Sequence, residues 1–242
     1  MAKQIPAATI ETLARSIFKD ASKYGFGRLD LIRLINELMD LCTGVDEHSG
    51  AEGDSDVVLF PKDQCSSGLP VSGERVDIRP YNGAADKALL QQWLPDKYGR
   101  YFVLSGATAQ SHTLEAMTDS SNNALGIITL KDGKPIGAMA YLDIHAEQKR
   151  GELRKLIGDL DSRGKGLAEE ATRLWLSYGV HSLGLEKIYV STLQTQINNI
   201  RLNESVGFRL EGLLRNEVAI DGKRHDVLRM GFSLSEAESG AQ

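Results

Sequence analysis

Apolar residues near the amino terminus recur at helical spacing. Ile10, Leu13, Ala14, Ile17, Phe18 and Ala21 follow an i, i+3, i+4, i+7 rhythm and form one stripe. Gly25-Phe26-Gly27 interrupts the rhythm. A second stripe follows with Leu31, Leu34, Ile35, Leu38 and Leu41, and Gly44 stops it. The pattern predicts a helical hairpin over residues 1–44. Two helices bury too little apolar surface to stand alone, so the hairpin is expected to dock on the rest of the chain or on a second copy. The rhythm disappears over 45–75. GVDEHSGAEGDSD and CSSGLPVSGE are rich in Gly, Ser and acid, as a linker is, and only Val57–Phe60 before Pro61 reads as a short edge strand.

The period changes again at Val76. VDIRP (76–80) alternates as a strand, and Asp86–Trp93 suits a helix that Pro95 ends. The apolar runs Ala124–Leu130 and Ile136–Ile144 flank Lys131-Asp132-Gly133-Lys134, a hairpin turn signal. Leu153–Ile157 is a further strand. A glycine-rich turn, a helix over 167–183, a strand over 188–193, a helix over 198–206 and two strands around Asp221-Gly222 complete the chain. The predicted order is β-α-α-β-β-β-α-β-α-β-β. It implies an α/β (α+β) domain over 76–235, with a mixed sheet and helices on its faces.

Composition narrows the reading. Net charge is −5 among 242 residues, which gives no general attraction for nucleic acid or an anionic membrane. Cys42 and Cys65 form neither a CxxC pair nor a zinc-spaced cluster. Charged residues break any signal-like apolar core near the amino terminus, and no later run approaches spanning length. A cytoplasmic protein without membrane or nucleic-acid partners is expected.

The chemistry concentrates at Asp159-Leu160-Asp161-Ser162-Arg163-Gly164-Lys165-Gly166-Leu167-Ala168, between a strand and a helix. Gly164 and Gly166 let the backbone approach an anion closely, and the helix's first N–H groups with its dipole favour negative charge. Arg163 and Lys165 add cations. The spacing fits neither a Walker loop nor a Rossmann turn. A glycine turn that merely reverses the chain is the bland alternative.

The sequence from Gly151 to Gly231, with GELRKLIGDLDSRGKGLAEEA, Val206-Gly207-Phe208, Glu211-Gly212 and His225-Asp226 before Met230-Gly231, resembles the GNAT superfamily of N-acetyltransferases. Within it, the chain is similar to the branch of ribosomal-protein N-terminal and nucleotide-linked amino-sugar acetyltransferases. The resemblance implies a GNAT-type, mostly antiparallel sheet with flanking helices and acetyl-CoA as co-substrate. It implies that the strand Leu153–Ile157 splays from its neighbour, leaving backbone groups near Leu156, Ile157 and Gly158 for the pantetheine arm. The N–H groups from Arg163 through Leu167 to Ala168 would hold the pyrophosphate. Three positions depart from the common pattern. Asp161 replaces Gln or Arg ahead of the first glycine. Gln196 replaces an Asn that contacts pantetheine, with Asn198 and Asn199 beside it. Asn203 replaces a Tyr that protonates the leaving thiolate, so the general acid is unassigned.

Amine acetylation also needs a group to take the amine's proton, because an alkyl amine is protonated near pH 7. The resemblance makes Glu152 the first candidate; a solvated strand-end carboxylate is the alternative. Asp143 and His145, at the end of the preceding strand, are further candidates, although both also suit an ordinary loop. His225-Asp226 borders the acceptor or simply bonds within a hairpin, and Arg215 and Arg229 read as solvated. The expected activity is acetyl transfer from acetyl-CoA to a primary amine, foremost an amino sugar on a nucleotide carrier. A protein N-terminus, or a non-catalytic acyl-CoA-binding module acting through its hairpin, are the alternatives.

Overall fold

The computed structural model describes residues 7–26, 34, 35, 38, 68–95, 99, 102, 114–193, 197–220 and 222–234. Two units divide the chain, residues 1–53 and 54–242. In the first, helix α1 spans Ala7–Lys23. Glu11 and Arg15 form an i, i+4 pair on it, and the stripe residues Ile10, Leu13, Ile17 and Phe18 are exposed. Most of the second predicted helix and the Val57–Phe60 strand lie outside the described residues.

The second unit is one eight-stranded sheet with helices against it. Its elements are β1 (Val71–Ser72), β2 (Val76–Pro80), α2 (Gly83–Trp93), α3 (Leu114–Asp119), β3 (Ala124–Leu130), β4 (Pro135–His145), β5 (Arg150–Ile157), α4 (Leu167–His181), β6 (Lys187–Leu193), α5 (Ile197–Ser205), β7 (Arg209–Ile220) and β8 (Lys223–Ser233). The predicted order from Val76 onward matches this. The strand β1 was not expected in the 45–75 stretch; it pairs with β2 at Val71↔Ile78. Strand order is β1-β2-β3-β4-β5-β6-β8-β7, and every pairing is antiparallel except β5–β6.

The reason for this register lies in the alternation. The central strand β4 is buried along most of its length and reads as a near-continuous apolar run, as a strand covered on both faces must. One face places Ile78, Tyr141, Leu153, Ile188, Met230 and Phe232 against Trp175 and Leu174 of α4. The other places Ile127, Ala138, Leu142 and Leu156 with Leu90 of α2, Phe102, and Leu114 and Met117 of α3. Tyr141 stacks on Trp175 at 5.4 Å between ring centroids and donates its hydroxyl to the Trp175 carbonyl oxygen, which satisfies the one polar atom that its burial strands.

Candidate active site

The site begins where the sheet stops being a sheet. Strands β5 and β6 are parallel and pair only at Arg150↔Lys187, Gly151↔Ile188 and Glu152↔Tyr189. Beyond that rung β6 continues with β8 as its partner through Leu193↔Val227, while β5 continues with β4 through Gly137↔Ile157. The two strands therefore splay. The N–H of Gly158 donates to the Ile136 carbonyl oxygen at 2.9 Å. By antiparallel alternation the backbone groups of Leu153, Lys155 and Ile157 then face the splay, while those of Arg154 and Leu156 face β4.

Glu152 sits on the last rung and is fully buried. Its carboxylate pairs with the Arg154 guanidinium at 2.8 Å. Arg154 also donates from one terminal nitrogen to the Ser191 carbonyl oxygen at 3.4 Å, and its Nε has no partner. On β8, Arg229 lies over the Tyr189 ring at 4.6 Å from the centroid. Burial pushes the Tyr189 phenol up; Glu152 and Asp143 add to this and Arg229 opposes it. Glu152, Arg154, Tyr189, Ser191 and Arg229 thus form a polar floor on the face that elsewhere holds the apolar contacts with α2 and α3.

The opposite face of the splay carries Lys155. Its ammonium donates to the Asn203 amide oxygen on α5 at 2.5 Å. Asn203 is buried, and its amide nitrogen lies 3.6 Å from the Met230 sulfur. Burial pushes the Lys155 ammonium down to about 7, with Glu169 of α4 working against the shift.

The strand ends in a glycine turn. Gly158 packs so closely on Trp93 that a Cβ there would run into the indole. A 3-10 turn follows at Leu160–Ser162, held by Ser162 donating to the Asp159 carboxylate. Gly164 (φ 74°) and Gly166 (φ 75°) adopt the left-handed conformation, and Gly166 caps α4. Arg75 braces this turn from a distance in sequence. It donates to the carbonyl oxygens of Lys165 and Gly166 at 3.0 and 3.2 Å, and pairs with Glu170 at 2.8 Å. The Glu170 carboxyl is held below its ordinary range: burial raises it, and the Arg75 and Val76 groups that donate to it outweigh burial. The turn is thereby fixed at the start of α4, and residues 164–166 are exposed.

A model of the acetyltransferase (GNAT) domain matches residues 75–209. The chain belongs to the GNAT acetyltransferase family. The Escherichia coli K12 spermidine N(1)-acetyltransferase is 27% identical over 158 residues, 65% of this chain and 81% of that protein. A probable N-acetyltransferase of Bacillus subtilis, YjcK, is 35% identical over 135 residues, 53% of this chain and 72% of that protein. Among solved structures, the Vibrio cholerae spermidine N-acetyltransferase in complex with CoA and spermine superposes with a TM-score of 0.57 at 19% identity, over 69% of this chain and 99% of that one. This GNAT chain is an acetyl-CoA-dependent N-acetyltransferase.

A splay lined by backbone groups thus leads to an exposed turn that carries no side chain at residues 164 and 166. Several expected contacts shift. The Gly158 N–H is taken by Ile136, and the Ile157 carbonyl oxygen accepts the Arg163 Nε at 2.8 Å. Alternation turns Leu156 toward β4, so Lys155 rather than Leu156 or Gly158 presents an outward peptide. Arg163 is drawn into the scaffold, and the cation at the turn is Arg75, which no local signal marks because it is 90 residues from its partner Lys165. Lys165 and Asp161 are exposed, Leu167 is buried, and Ala168 accepts the Thr172 hydroxyl. Asn199 donates to the Thr192 hydroxyl at 2.5 Å, and Gln196 lies outside the described residues. Asp143 (φ 52°) sits in a β4 irregularity, with its N–H bonded to Asn123. His145 is exposed, with Nδ1 accepting the Gln148 N–H of its own turn. Asp226 accepts the Asn216 N–H at 2.7 Å within the β7–β8 hairpin, an ordinary hairpin bond. Arg229, expected to be solvated, instead belongs to the floor.

Proposed function

We propose that the chain acetylates a small primary amine that carries an anionic group, with an amino sugar on a nucleotide carrier as the foremost case. The observation behind this acceptor class is the pair of guanidiniums, Arg154 and Arg229, on the floor beside Glu152. Two guanidiniums against the one Glu152 carboxylate leave the floor with a net positive charge, which suits a phosphate or carboxylate and opposes a polycation. In this reading acetyl-CoA supplies the electrophilic acetyl carbon. The outward peptides of Lys155 and Ile157 line the pantetheine arm, and the N–H groups from Gly164 to Ala168 receive the pyrophosphate. Glu152, at the vertex of the splay, takes the amine's proton directly or through water.

A polyamine is the second reading. The relatives named spermidine acetyltransferases favour it, and the net charge of −5 agrees with a cationic substrate. Release of free CoA thiol from acetyl-CoA, measured with a nucleotide-linked amino sugar, spermidine and an N-terminal peptide, separates these readings. The first expects a kcat/KM for the anionic acceptor at least tenfold above that for spermidine. The reverse order would overturn it in favour of the polyamine.

A further inference from the structure

Acetyl transfer forms a C–N bond and breaks a C–S bond. The amine nitrogen loses one proton and the sulfur gains one, with no change of oxidation state. Glu152 accounts for the first proton, and the residue that resembles the usual donor position, Asn203, is an amide with no acidic proton to give. We infer that the Lys155 ammonium donates the proton to the departing coenzyme A sulfur, and that Asn203 is the positioning residue that aims it into the splay.

The geometry carries this in three parts. Lys155 lies three residues past Glu152 on β5, beyond the last rung shared with β6, so its peptide faces the splay and its side chain stands beside it on the α4 face of the sheet. That side chain crosses to α5 and bonds to Asn203, which is itself buried. Its surroundings are apolar: Met139 is its partner on β4, and Met230 touches Asn203 from β8. Among the described residues, the charged group acting on Lys155 is Glu169 of α4, which is paired with Arg173 at 3.2 Å; Arg163 lies at the strand's end, bonded to the Ile157 carbonyl oxygen. Arg173 also bonds to the Ser205 carbonyl oxygen. Such a setting makes a lysine acidic enough to surrender a proton near neutrality, which a solvated lysine is not, and the value of about 7 agrees. After each turnover Lys155 regains a proton from solvent and Glu152 returns one.

The inference rests on the splay as the coenzyme A site, and the test separates the two. Coenzyme A is bound to the full chain and to Lys155→Met and Lys155→Arg, and the ultraviolet absorbance of its thiolate is followed against pH. The wild type and Lys155→Arg should shift the bound thiol's titration about one unit or more below that in Lys155→Met, because both place a cation beside the sulfur. Turnover should fall by roughly two to four orders of magnitude in both variants, because arginine keeps its proton at working pH. The wild-type kcat should decline on a basic limb near neutrality, as Lys155 loses its proton, and that limb should be absent in Lys155→Arg. Asn203→Leu should move the limb while leaving coenzyme A bound, and it carries the test should Lys155→Met not fold. A bound thiol that titrates alike in wild type and Lys155→Met, or a Lys155→Arg turnover within tenfold of wild type, overturns the role of Lys155 alone. Failure of the wild type to bind coenzyme A overturns the reading of the splay and this inference with it.

Discussion

Glu152 has a structural duty and a proposed chemical one, and the two can be separated. Its carboxylate balances Arg154, and breaking a buried pair of this kind costs up to about 3–5 kcal/mol. Its proposed chemical role is to accept the amine's proton. Glu152→Gln should therefore lower the melting temperature and also lower kcat by roughly two to four orders of magnitude. Adding Arg154→Leu should recover stability without recovering turnover, since it removes the stranded cation but restores no base. In the wild type, kcat/KM should rise on an acid limb that is lost or moved in Glu152→Gln. A loss below tenfold with an unshifted profile, measured with acceptors of two different amine pKa values, would point to Asp143, which also acts on Tyr189. His145 stands further from this role, engaged by its own turn.

At the scale of elements, the glycine turn is held by backbone conformation and by a remote brace. Gly164 and Gly166 both have φ near +75°, where a side chain is strained by about 1–2 kcal/mol. Gly164→Val should weaken coenzyme A binding at least tenfold in calorimetry, and unchanged affinity would remove the turn from the site. Arg75→Met should weaken binding as well and destabilise by about 1 kcal/mol, the discounted value for a half-exposed guanidinium. Most strands and helices from Val76 onward were legible because they show a clean period and flanking turn chemistry; the range of the short helix Leu114–Asp119 was not, since six residues carry too little period. The Asp132-Gly133 turn is an example: Gly133 has φ 87° and the Asp132 side chain accepts the Lys134 N–H. β1 was not legible, because two residues between turn signals carry no period. The splay could be expected only through resemblance, since where two strands part is not written in either strand.

At the scale of the whole molecule, one buried acid makes the fold pH-dependent. Asp86 on α2 is buried, which raises its pKa, but Arg79 at 2.7 Å and the Asn82 N–H outweigh burial and hold it below its ordinary value. A depressed folded-state pKa contributes stability above the unfolded value of about 4, lost as pH falls through the folded one. Asp86→Asn should reduce the acid sensitivity of thermal unfolding while lowering stability at neutral pH. Residues 1–53 form a separate compact unit, and their removal should leave coenzyme A affinity within about threefold. A larger loss, read by calorimetry, would give the amino-terminal unit a part in the site. No helix among the described residues is long and apolar enough to cross a membrane.

The sequence by itself determined the element order, the apolar faces and the position of the glycine turn. These depend on local period, glycine conformation and helix termini, all of which are encoded within a few neighbouring residues. Only the tertiary structure decided that Arg75 braces the turn, that Gly158 is needed for Trp93, that Arg229 leaves solvent for the floor, and that Lys155 meets Asn203 across the splay. Each of these joins residues far apart in the chain, and burial and hydrogen bonding between them arise only once the sheet has brought them together.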